Sequence, residues 1–332
     1  MNAISRRSFF GVAALTGLVG LAACSSGNST SASASSAGGA SSTPAVITVG
    51  TLATEDLLPL WVAKAEGMFE KAGLQVEIVP FQSATELIAG VASGEVDSAM
   101  TDIMVTASMF ASGIDVQMEW VTLGTTADQG RFGIMVGPNS SIQKLTDLAD
   151  VPIGVGSNTI LEYVMDKLME AAGVPDSQIK VEELQKLPVR YQAMASGDVA
   201  AAALPGTLLA LGEANGCKLV ADDTQGENLS QSVMIARSAV LSDAYLQQIE
   251  KLKSVWNDAA AMINKDPESY REILVDSANL PVEIADTYPI STYPTTQLPT
   301  SAMVDPVLAW MQQKGYLTQP LTYDEATGTF AK

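Results

Sequence analysis

"ASGEVDSAM", residues Ala92 to Met100, decides the fold, because its pattern returns as "ASGDVAAAA" at Ala195 to Ala203. Each copy has Ala-Ser-Gly, an acid and then an apolar run. A glycine after a helical segment is a common helix end, and the apolar run is typical of a buried strand. The repeat therefore predicts two α/β lobes that share one helix-to-strand junction. The alternative is that Ala-Ser-Gly-acid is simply a frequent helix ending, so the surrounding pattern must decide.

Strand-like and helix-like segments alternate on both sides of the repeat. Before the first copy, "VITVG" and "LQVEIVPF" are β-branched runs, and each is followed by apolar residues at helical spacing. After it, "IDVQMEWVTL" and "RFGIMVGP" are strand-like crossing segments, and the alternation then begins again. This order predicts an α/β protein in which each lobe is an open, mostly parallel sheet flanked by helices.

The crossing segments divide the chain into lobes. We expect residues 46–128 and 230–332 to form the first lobe, and residues 132–228 to form the second. "SQSVMIAR", Ser230 to Arg237, is interpreted as a strand that returns to the first lobe, so that two strands connect the lobes. The remainder, from Ser242, is predicted to be mostly helical. Loops at the carboxyl ends of strands form the ligand crevice in open α/β sheets, so we expect a cleft between the lobes.

The N-terminal segment is interpreted as an export signal that is not part of the fold. A basic start with Arg6 and Arg7 precedes a short apolar run, so residues 1–23 are predicted to be a signal peptide. The run ends in "LAAC", which resembles a bacterial lipobox, and Cys24 would then be lipidated. Residues 24–45 hold this cysteine and a flexible linker rich in Ser, Ala and Gly. The Sec and twin-arginine export routes stay open, and an uncleaved membrane anchor is the alternative.

Composition narrows the classes of function. The 332 residues contain no histidine and two cysteines, which weakens hydrolase and metalloenzyme hypotheses and leaves Cys217 alone once Cys24 carries lipid. Loss of Arg6 and Arg7 with the signal peptide lowers the basic count from 18 to 16, against 37 acids, for a net charge of −21. Nucleic acid is therefore an unfavourable partner. We expect a monomer with no catalytic residue, metal or cofactor. An enzyme and a structural or signalling lipoprotein are the rival classes.

The segment "LWVAKAEGMFEKAGLQVEIVPFQSATELIAGVASGEVDSAMTD" resembles the first lobe of a family of solute-binding proteins. Its members are the binding components of ABC importers for sulfonates, nitrate-like anions and thiamine-precursor pyrimidines. "DLADVPIGVGSNT" and "ASGDVAAAALPGTLL" fit the second lobe, so the resemblance covers most of Val46 to Ala236. The residues that carry it in the first lobe are Ala65, Gly67, Phe69, Gly73, Leu74, Val76, Glu77, Ala92, Gly94 and Asp97.

This resemblance implies a two-lobed, hinged fold of the periplasmic-binding-protein (Venus-flytrap) type. It also implies a small-molecule solute, permease subunits of an importer as partners, and an extracytoplasmic location at the cell membrane through the lipid. One branch of the fold family is a self-consuming enzyme that draws on its own histidine and a cysteine cluster. This chain has neither, so that branch is excluded.

The predicted ligand contacts are loop residues that lie between the end of a strand and the start of a helix. Helix capping is the alternative role for the hydroxyl and carboxyl side chains among them. At "GSNT", helix N-terminal N–H groups and hydroxyls would suit an anion or a carbonyl oxygen. The candidates in the first lobe are Thr54, Glu55, Gln82, Ser83, Thr101 and Asp102, and those in the second lobe are Ser157, Asn158, Thr159 and Pro205.

The charged residues near these loops favour one class of solute. Glu55, Asp56 and Asp102 would repel a strongly anionic ligand, and they suit N–H donors. The expected solute is a thiamine-precursor-like pyrimidine or another nitrogen heterocycle. An alkanesulfonate, taurine or a nitrate-like anion is the alternative, because Arg131 or Arg190 could pair with an acidic group. Arginines of this kind are more often solvated surface groups, which is the competing interpretation.

Overall fold

The computed structural model describes residues 46–278 and 280–332. The predicted signal peptide (1–23), the predicted lipidation site Cys24 and the predicted linker up to residue 45 lie outside the described residues. The strands are β1 (Ile47–Leu52), β2 (Val76–Phe81), β3 (Ser98–Asp102), β4 (Val116–Leu123), β5 (Phe132–Val136), β6 (Pro152–Val155), β7 (Lys180–Glu183), β8 (Ala201–Pro205), β9 (Lys218–Asp222), β10 (Ser232–Arg237), β11 (Thr322–Asp324) and β12 (Thr329–Ala331). The α-helices are α1 (Leu58–Ala65), α2 (Met68–Lys71), α3 (Ala84–Ser93), α4 (Ile103–Ala111), α5 (Ile160–Ala171), α6 (Leu187–Ser196), α7 (Gly206–Ala214), α8 (Asp243–Lys265), α9 (Arg271–Ser277) and α10 (Ser301–Lys314).

Two five-stranded sheets have the same topology. The first has the order β2-β1-β3-β10-β4, and the second has the order β7-β6-β8-β5-β9. In each sheet three strands pair in parallel, and one strand pairs antiparallel with both of its neighbours, so four of the five strands run the same way. The two-lobed α/β fold is confirmed, and each sheet is mixed. We call the part built on the first sheet lobe 1 and the part built on the second sheet lobe 2.

The antiparallel strand of each sheet belongs to a passage of the chain between the lobes. β5 enters lobe 2 and lies between β8 and β9, whereas β10 returns and lies between β3 and β4 of lobe 1. Both connections therefore end as inner strands of a sheet. The lobe bounds of 46–128 with 230–332, and of 132–228, stay a prediction, because the described residues all belong to one compact unit.

The repeated phrase occupies equivalent junctions in the two lobes. α3 ends at Gly94, with φ 79°, and α6 ends at Gly197, with φ 86°. Both glycines have the left-handed conformation that commonly ends a helix, because glycine has no Cβ to clash there. The strands that follow, β3 and β8, each lie between the first parallel strand and the crossing strand of their sheet, and all of their residues are buried.

The C-terminal part of the chain packs mainly on lobe 1. It is mostly helical, as predicted, with α8 against α1 and α10 against α4. Trp120 of β4 and Trp256 of α8 join the sheet to this layer, with ring centroids 5.8 Å apart. The β11–β12 hairpin near the end was not predicted, because strands of three residues carry too short an alternating pattern. None of the helices within 46–278 and 280–332 is long and apolar enough to cross a membrane.

Candidate functional site

A cavity lies where the carboxyl ends of the parallel strands of the two lobes face each other. This edge is where parallel sheets present their loops, and the crossing strands begin there too. The polar residues that line the cavity are Thr54, Asp56, Thr101 and Asp102 from the first part of lobe 1, Ser232 at the start of β10, and Thr159, Gln185 and Arg190 from lobe 2. Apolar walls come from Leu52, Met100, Phe132, Leu161, Leu187 and Pro205.

Asp102 connects the two lobes at the cavity wall. It is the last residue of β3, and its Oδ1 accepts a hydrogen bond from the N–H of Val105 at 2.7 Å, which caps α4. Its Oδ2 accepts a hydrogen bond from the N–H of Ile160, the first residue of α5 in lobe 2, at 3.1 Å. Burial raises the pKa of Asp102 to about 6, although its backbone hydrogen bonds act in the opposite direction. One carboxyl group therefore serves two helix N-termini, one in each lobe.

A second carboxylate, Asp56, lies on the same side of the cavity. It is buried, and its Oδ1 accepts a hydrogen bond from the hydroxyl of Ser232 at the start of β10. Ser232 is also the register partner of Asp102 across the β3–β10 pair. Ser232 thus connects the two acids, through strand pairing with Asp102 and through its hydroxyl with Asp56 in the turn after β1, and both acids offer oxygen atoms to a donor in the cavity.

Arg190 is the cation in the cavity wall, and it is 2% exposed. Its guanidinium donates to three backbone carbonyls, those of Leu184 (2.8 Å), Ala203 (3.0 Å) and Gln185 (3.2 Å). Burial lowers the pKa of Arg190 to about 10, and no ion pair with a carboxylate forms within the described part of the chain. The surface interpretation is wrong for Arg190, because carbonyls after β7 and in β8 replace its hydration. For Arg131 the half-buried side chain pairs with Glu213 and Asp222.

Glu55 lies beside the cavity and not in its lining. Its Oε1 accepts a hydrogen bond from the hydroxyl of Tyr288 at 2.8 Å, and its Oε2 is buried with no hydrogen-bond partner among the described residues. A Cβ on Gly206, the first residue of α7 in lobe 2, would lie 2.6 Å from Oε1 of Glu55. Burial, and then the charge of Asp56, raises the pKa of Glu55 to about 8, so it holds a proton at neutral pH.

The structure brings half of the predicted contacts together. Thr54, Thr101, Asp102, Thr159 and Pro205 all line the cavity. Thr159 also donates its hydroxyl hydrogen to the carbonyl of Gly156 at 2.7 Å, so its role there is partly local. Whether any of these residues contacts a solute stays a prediction.

The other predicted residues lie outside the cavity lining. Ser83 is buried and caps α3, since its hydroxyl accepts from the N–H of Glu86 at 3.2 Å. Ser157 is paired with Glu183 on the surface of lobe 2. Asn158, in the left-handed conformation with φ 58°, donates to the hydroxyl of Ser108 on α4 at 2.6 Å. Ser83 thus caps a helix, Ser157 is bonded within lobe 2 and Asn158 joins the lobes, and the role of all three as ligand contacts also stays a prediction.

Gln82 lies at the mouth of the cleft, where the two lobes touch. Its carbonyl accepts from the N–H of Leu187 at 3.4 Å, and its amide oxygen lies 3.5 Å from Nζ of Lys186. Lys186 of lobe 2 also forms an ion pair with Glu86 of lobe 1 at 2.8 Å. The lobes are therefore joined at the cleft entrance, and the conformation is closed.

Sequence reasoning missed several lining residues. Ser232 and Phe132 are the first residues of the two crossing strands. The strand order explains their place, because an antiparallel strand beside the third parallel strand must begin at the cleft edge, and this order appears only in the folded chain. Gln185 and Leu187 follow β7, whose short, exposed sequence gave little indication of a loop that reaches the cavity.

A family model described as "NMT1/THI5 like" matches residues 54–269, which is 216 of the 332 residues. The chain belongs to the NMT1/THI5-like family. Its matched region begins at Thr54 and includes every residue that lines the cavity except Leu52. A search of curated protein sequences gave no match.

Solved structures of the periplasmic-binding-protein type are similar to this NMT1/THI5-like chain throughout both lobes. The alkanesulfonate-binding protein SsuA from Xanthomonas axonopodis pv. citri, bound to MOPS, has TM-score 0.69 and 18% identity over 83% of this chain and 95% of that one. The ligand-binding component of an ABC-type import system from Staphylococcus aureus, with zinc bound, has TM-score 0.71 and 14% identity, covering 83% and 94%. The desulfurization enzyme DSZB has TM-score 0.62 and 15% identity, also covering 83% and 94%. At these identities the likeness establishes the fold.

Proposed function

We propose that this protein is the solute-binding component of an ABC importer and captures a small organic molecule between its two lobes. The observation that carries the proposal is the cavity itself, which is lined by polar and apolar residues from both lobes and closed by contacts at its mouth. Binding proteins of this kind hold a solute by closing on it. Family membership and the similarity to two importer binding components support the same role.

Enzymatic activity is the first rival, and DSZB gives it a precedent in this fold. The chain has no histidine, and the free thiol of Cys217 is buried in lobe 2 away from the cavity lining. Groups of three or more His, Cys, Asp or Glu side chains that could hold a metal do not occur within residues 46–278 and 280–332. The lining holds one hydrogen-bonded hydroxyl–carboxylate pair, Ser232 with Asp56, but neither a histidine nor a thiol lies there, which favours binding. A structural or signalling lipoprotein is the second rival, and it would not need an enclosed cavity.

The solute that fits these residues is a nitrogen heterocycle such as a thiamine-precursor-like pyrimidine. Asp56 and Asp102 present carboxylate oxygens, which accept from ring N–H or amino groups. Phe132, which is 7% exposed, provides an aromatic side chain in the wall, and Leu161 and Leu187 add apolar surface. With two acids and one arginine in the lining, the cavity has a net negative charge when both acids are ionised.

An anionic solute is the second candidate, because Arg190 is a buried cation without a carboxylate partner in the described part of the chain. Each of its three nitrogen atoms already donates to a carbonyl. The N–H groups not used in these bonds could bind a sulfonate, for which arginine has suitable geometry. The two neighbouring acids oppose this arrangement, so we place the heterocycle first.

The remaining parts of the proposal concern location. We infer that the chain is exported, that Cys24 is lipidated, and that residues 25–45 let a monomeric two-lobed body move above the membrane. A lipid anchor keeps the protein near permease subunits, and the acidic chain gains nothing from nucleic acid.

The deciding experiment has two steps. Native mass spectrometry of the purified protein would identify a co-purified small molecule. Isothermal titration with an aminopyrimidine that carries a hydroxymethyl group, and with butanesulfonate, would then separate the two solute classes. Tight binding of the pyrimidine alone supports the first candidate, and tight binding of butanesulfonate that Arg190→Gln abolishes supports the second. If no small molecule co-purifies and neither probe binds, the transport role is rejected.

A further inference from the structure

Two acidic residues of lobe 1 lie against the N-termini of two helices of lobe 2. Asp102, at the end of β3, accepts from Ile160, the first residue of α5. Glu55, which follows β1, lies against Gly206, the first residue of α7. α5 follows β6, the first parallel strand of lobe 2, and α7 follows β8, the third. The two contacts therefore mirror each other. In one, the third strand of lobe 1 meets the helix after the first strand of lobe 2, and in the other, the loop after the first strand of lobe 1 meets the helix after the third strand of lobe 2.

We propose that Asp102 and Glu55, together named the interlobe acids, couple closure of the cleft to the uptake of protons. Closure is then favoured as the pH falls, whether or not a solute is present. This inference goes beyond the transport role and does not depend on the identity of the solute.

Asp102 changes its surroundings when the lobes separate. In the closed form it is 7% exposed, and one of its two oxygen atoms is bonded to lobe 2. Opening removes the N–H of Ile160, which favours the ionised form, but it also admits water, and burial has the larger effect on the pKa of Asp102, so the ionised form gains on balance. Asp56 is the charged group that faces it, and this like charge also raises the pKa of Asp102 in the closed form to about 6, after burial as the main cause. The closed form therefore binds a proton at a pH where the open form has lost it.

Glu55 responds in the same direction for a separate reason. It is 4% exposed in the closed form, and ionisation would leave a negative charge whose Oε2 has no hydrogen-bond partner in the described chain. The titratable and charged groups around it are Asp56, Arg131, Tyr288 and Tyr293. Movement of α7, with Gly206 at its start, away from Glu55 would expose the carboxyl to water, and the pKa of Glu55 would fall from about 8 toward the ordinary value.

The two acids together predict the pH range of the effect. Both hold protons more tightly in the closed form, so closure is fully supported below the open-form pKa values and is lost as the pH rises through about 6 and then about 8. Since one pKa unit corresponds to a tenfold change in an equilibrium constant, the ratio of closed to open protein should fall at least about tenfold between pH 5 and pH 9.

The test measures the distance between the lobes in the full-length protein without solute. Spin labels on Ala89→Cys of lobe 1 and Val189→Cys of lobe 2, both at exposed positions, report the opening by pulsed electron paramagnetic resonance. Samples in detergent micelles are frozen at pH 5, 7 and 9. We expect one short distance at pH 5 and a growing longer population as the pH rises.

Variants decide whether the interlobe acids cause the change. Glu55→Gln with Asp102→Asn should remove most of the pH dependence, and the exposed Glu77→Gln should keep it while changing the charge by one. Asp102→Asn alone should remove the change near pH 6, and Glu55→Gln alone should remove the change near pH 8. The single variants therefore still test the inference if circular dichroism shows that the double variant does not fold. A constant distance from pH 5 to pH 9, or a wild-type profile in every acid variant that folds, overturns the inference. Neither result would bear on solute binding, which the pyrimidine and sulfonate titrations test separately.

Discussion

Oδ2 of Asp102 lies 3.1 Å from the backbone nitrogen of Ile160, and this hydrogen bond joins the third strand of lobe 1 to the first turn of α5 in lobe 2. A single side chain at the end of a strand therefore caps its own helix, bridges the cleft and lines the cavity. Substitution at this position should affect solute choice and closure together.

Asp102→Asn tests the class of solute. For a pyrimidine with N–H donors we expect affinity to fall more than about tenfold, because a charge-assisted hydrogen bond in a desolvated cavity is lost. For butanesulfonate we expect unchanged or tighter binding, because a like charge disappears. Isothermal titration of both probes measures the difference, with Glu77→Gln as a control, because Glu77 is exposed on β2 and does not line the cavity. Equal effects on the two probes would show that Asp102 does not sense the charge of the solute.

Glu55→Gln tests the cost of the buried carboxyl in folding. The pKa of Glu55 is raised from 4.5 to about 8, so the folded protein holds a proton that the unfolded chain releases. The free energy of unfolding should thus fall as the pH rises from about 4.5 to about 8, by at most a few kcal/mol. Thermal unfolding between pH 5 and pH 8 should show a flatter profile for Glu55→Gln than for the wild type. The same flattening in Glu77→Gln would instead indicate a general charge effect.

Lys186→Gln tests the contact at the cleft mouth. Its ion pair with Glu86 joins the lobes at 2.8 Å, but both side chains are partly exposed. Exposed pairs contribute about 0.2–1 kcal/mol, so solute affinity should weaken by no more than about fivefold, mainly through faster dissociation. Lys167→Gln is the matched control, because Lys167 pairs with Glu170 at the same distance within lobe 2. Stopped-flow measurements give the rate of solute dissociation for both variants. An equal change in Lys186→Gln and Lys167→Gln would show that the contact at the cleft mouth does not retain the solute.

Gly206→Ala tests whether the lobes need this close approach. The added Cβ would lie 2.6 Å from Oε1 of Glu55 and 2.7 Å from the hydroxyl of Tyr288, so the closed form should be destabilised. We expect a larger separation in the spin-label measurement at pH 5. Gly173→Ala adds a methyl group where no atom lies within 4 Å, although its φ of 84° costs about 1 kcal/mol, and it should leave the separation unchanged. If Gly206→Ala keeps the wild-type separation, the side chains of Glu55 and Tyr288 can move to make room for the added methyl group.

Cys24→Ala tests the membrane anchor. The variant should appear in the soluble fraction or remain unprocessed, because no lipid can be attached. Cys217→Ala removes the other cysteine, which is buried in lobe 2, and should stay with the membrane fraction. Membrane retention of Cys24→Ala at the wild-type level would contradict the lipobox interpretation.

Local signals explain why most of the fold was predictable. Gly94 and Gly197 end helices in the left-handed conformation, and Ser83 caps α3, as short-range rules predict. The order of strands and helices then restricts the topology to a few choices. What local rules do not specify is which strands become neighbours, so the antiparallel insertion of β10 between β3 and β4 appears only in the folded chain.

The site was less predictable because burial depends on distant partners. Arg190 resembles a surface residue in sequence, and three carbonyls from two segments make its burial tolerable. Ser157 and Asn158 were predicted at the cleft, yet their hydrogen bonds go to Glu183 and Ser108. The residue types that cap a helix are also those that bind a ligand at its start, so the sequence pattern is the same for both roles. Only the packing around the residue shows which role it has.

The position of β10 also affects how the protein is made. All five strands of the second sheet lie between residues 132 and 222, whereas the first sheet lacks its inner strand until residues 232–237 have been synthesised. A growing chain can therefore complete the second sheet while β3 and β4 of the first still have open edges. Unpaired edges invite pairing with other chains. Lobe 1 thus begins first along the chain, but its sheet can be completed only after that of lobe 2, because it needs β10.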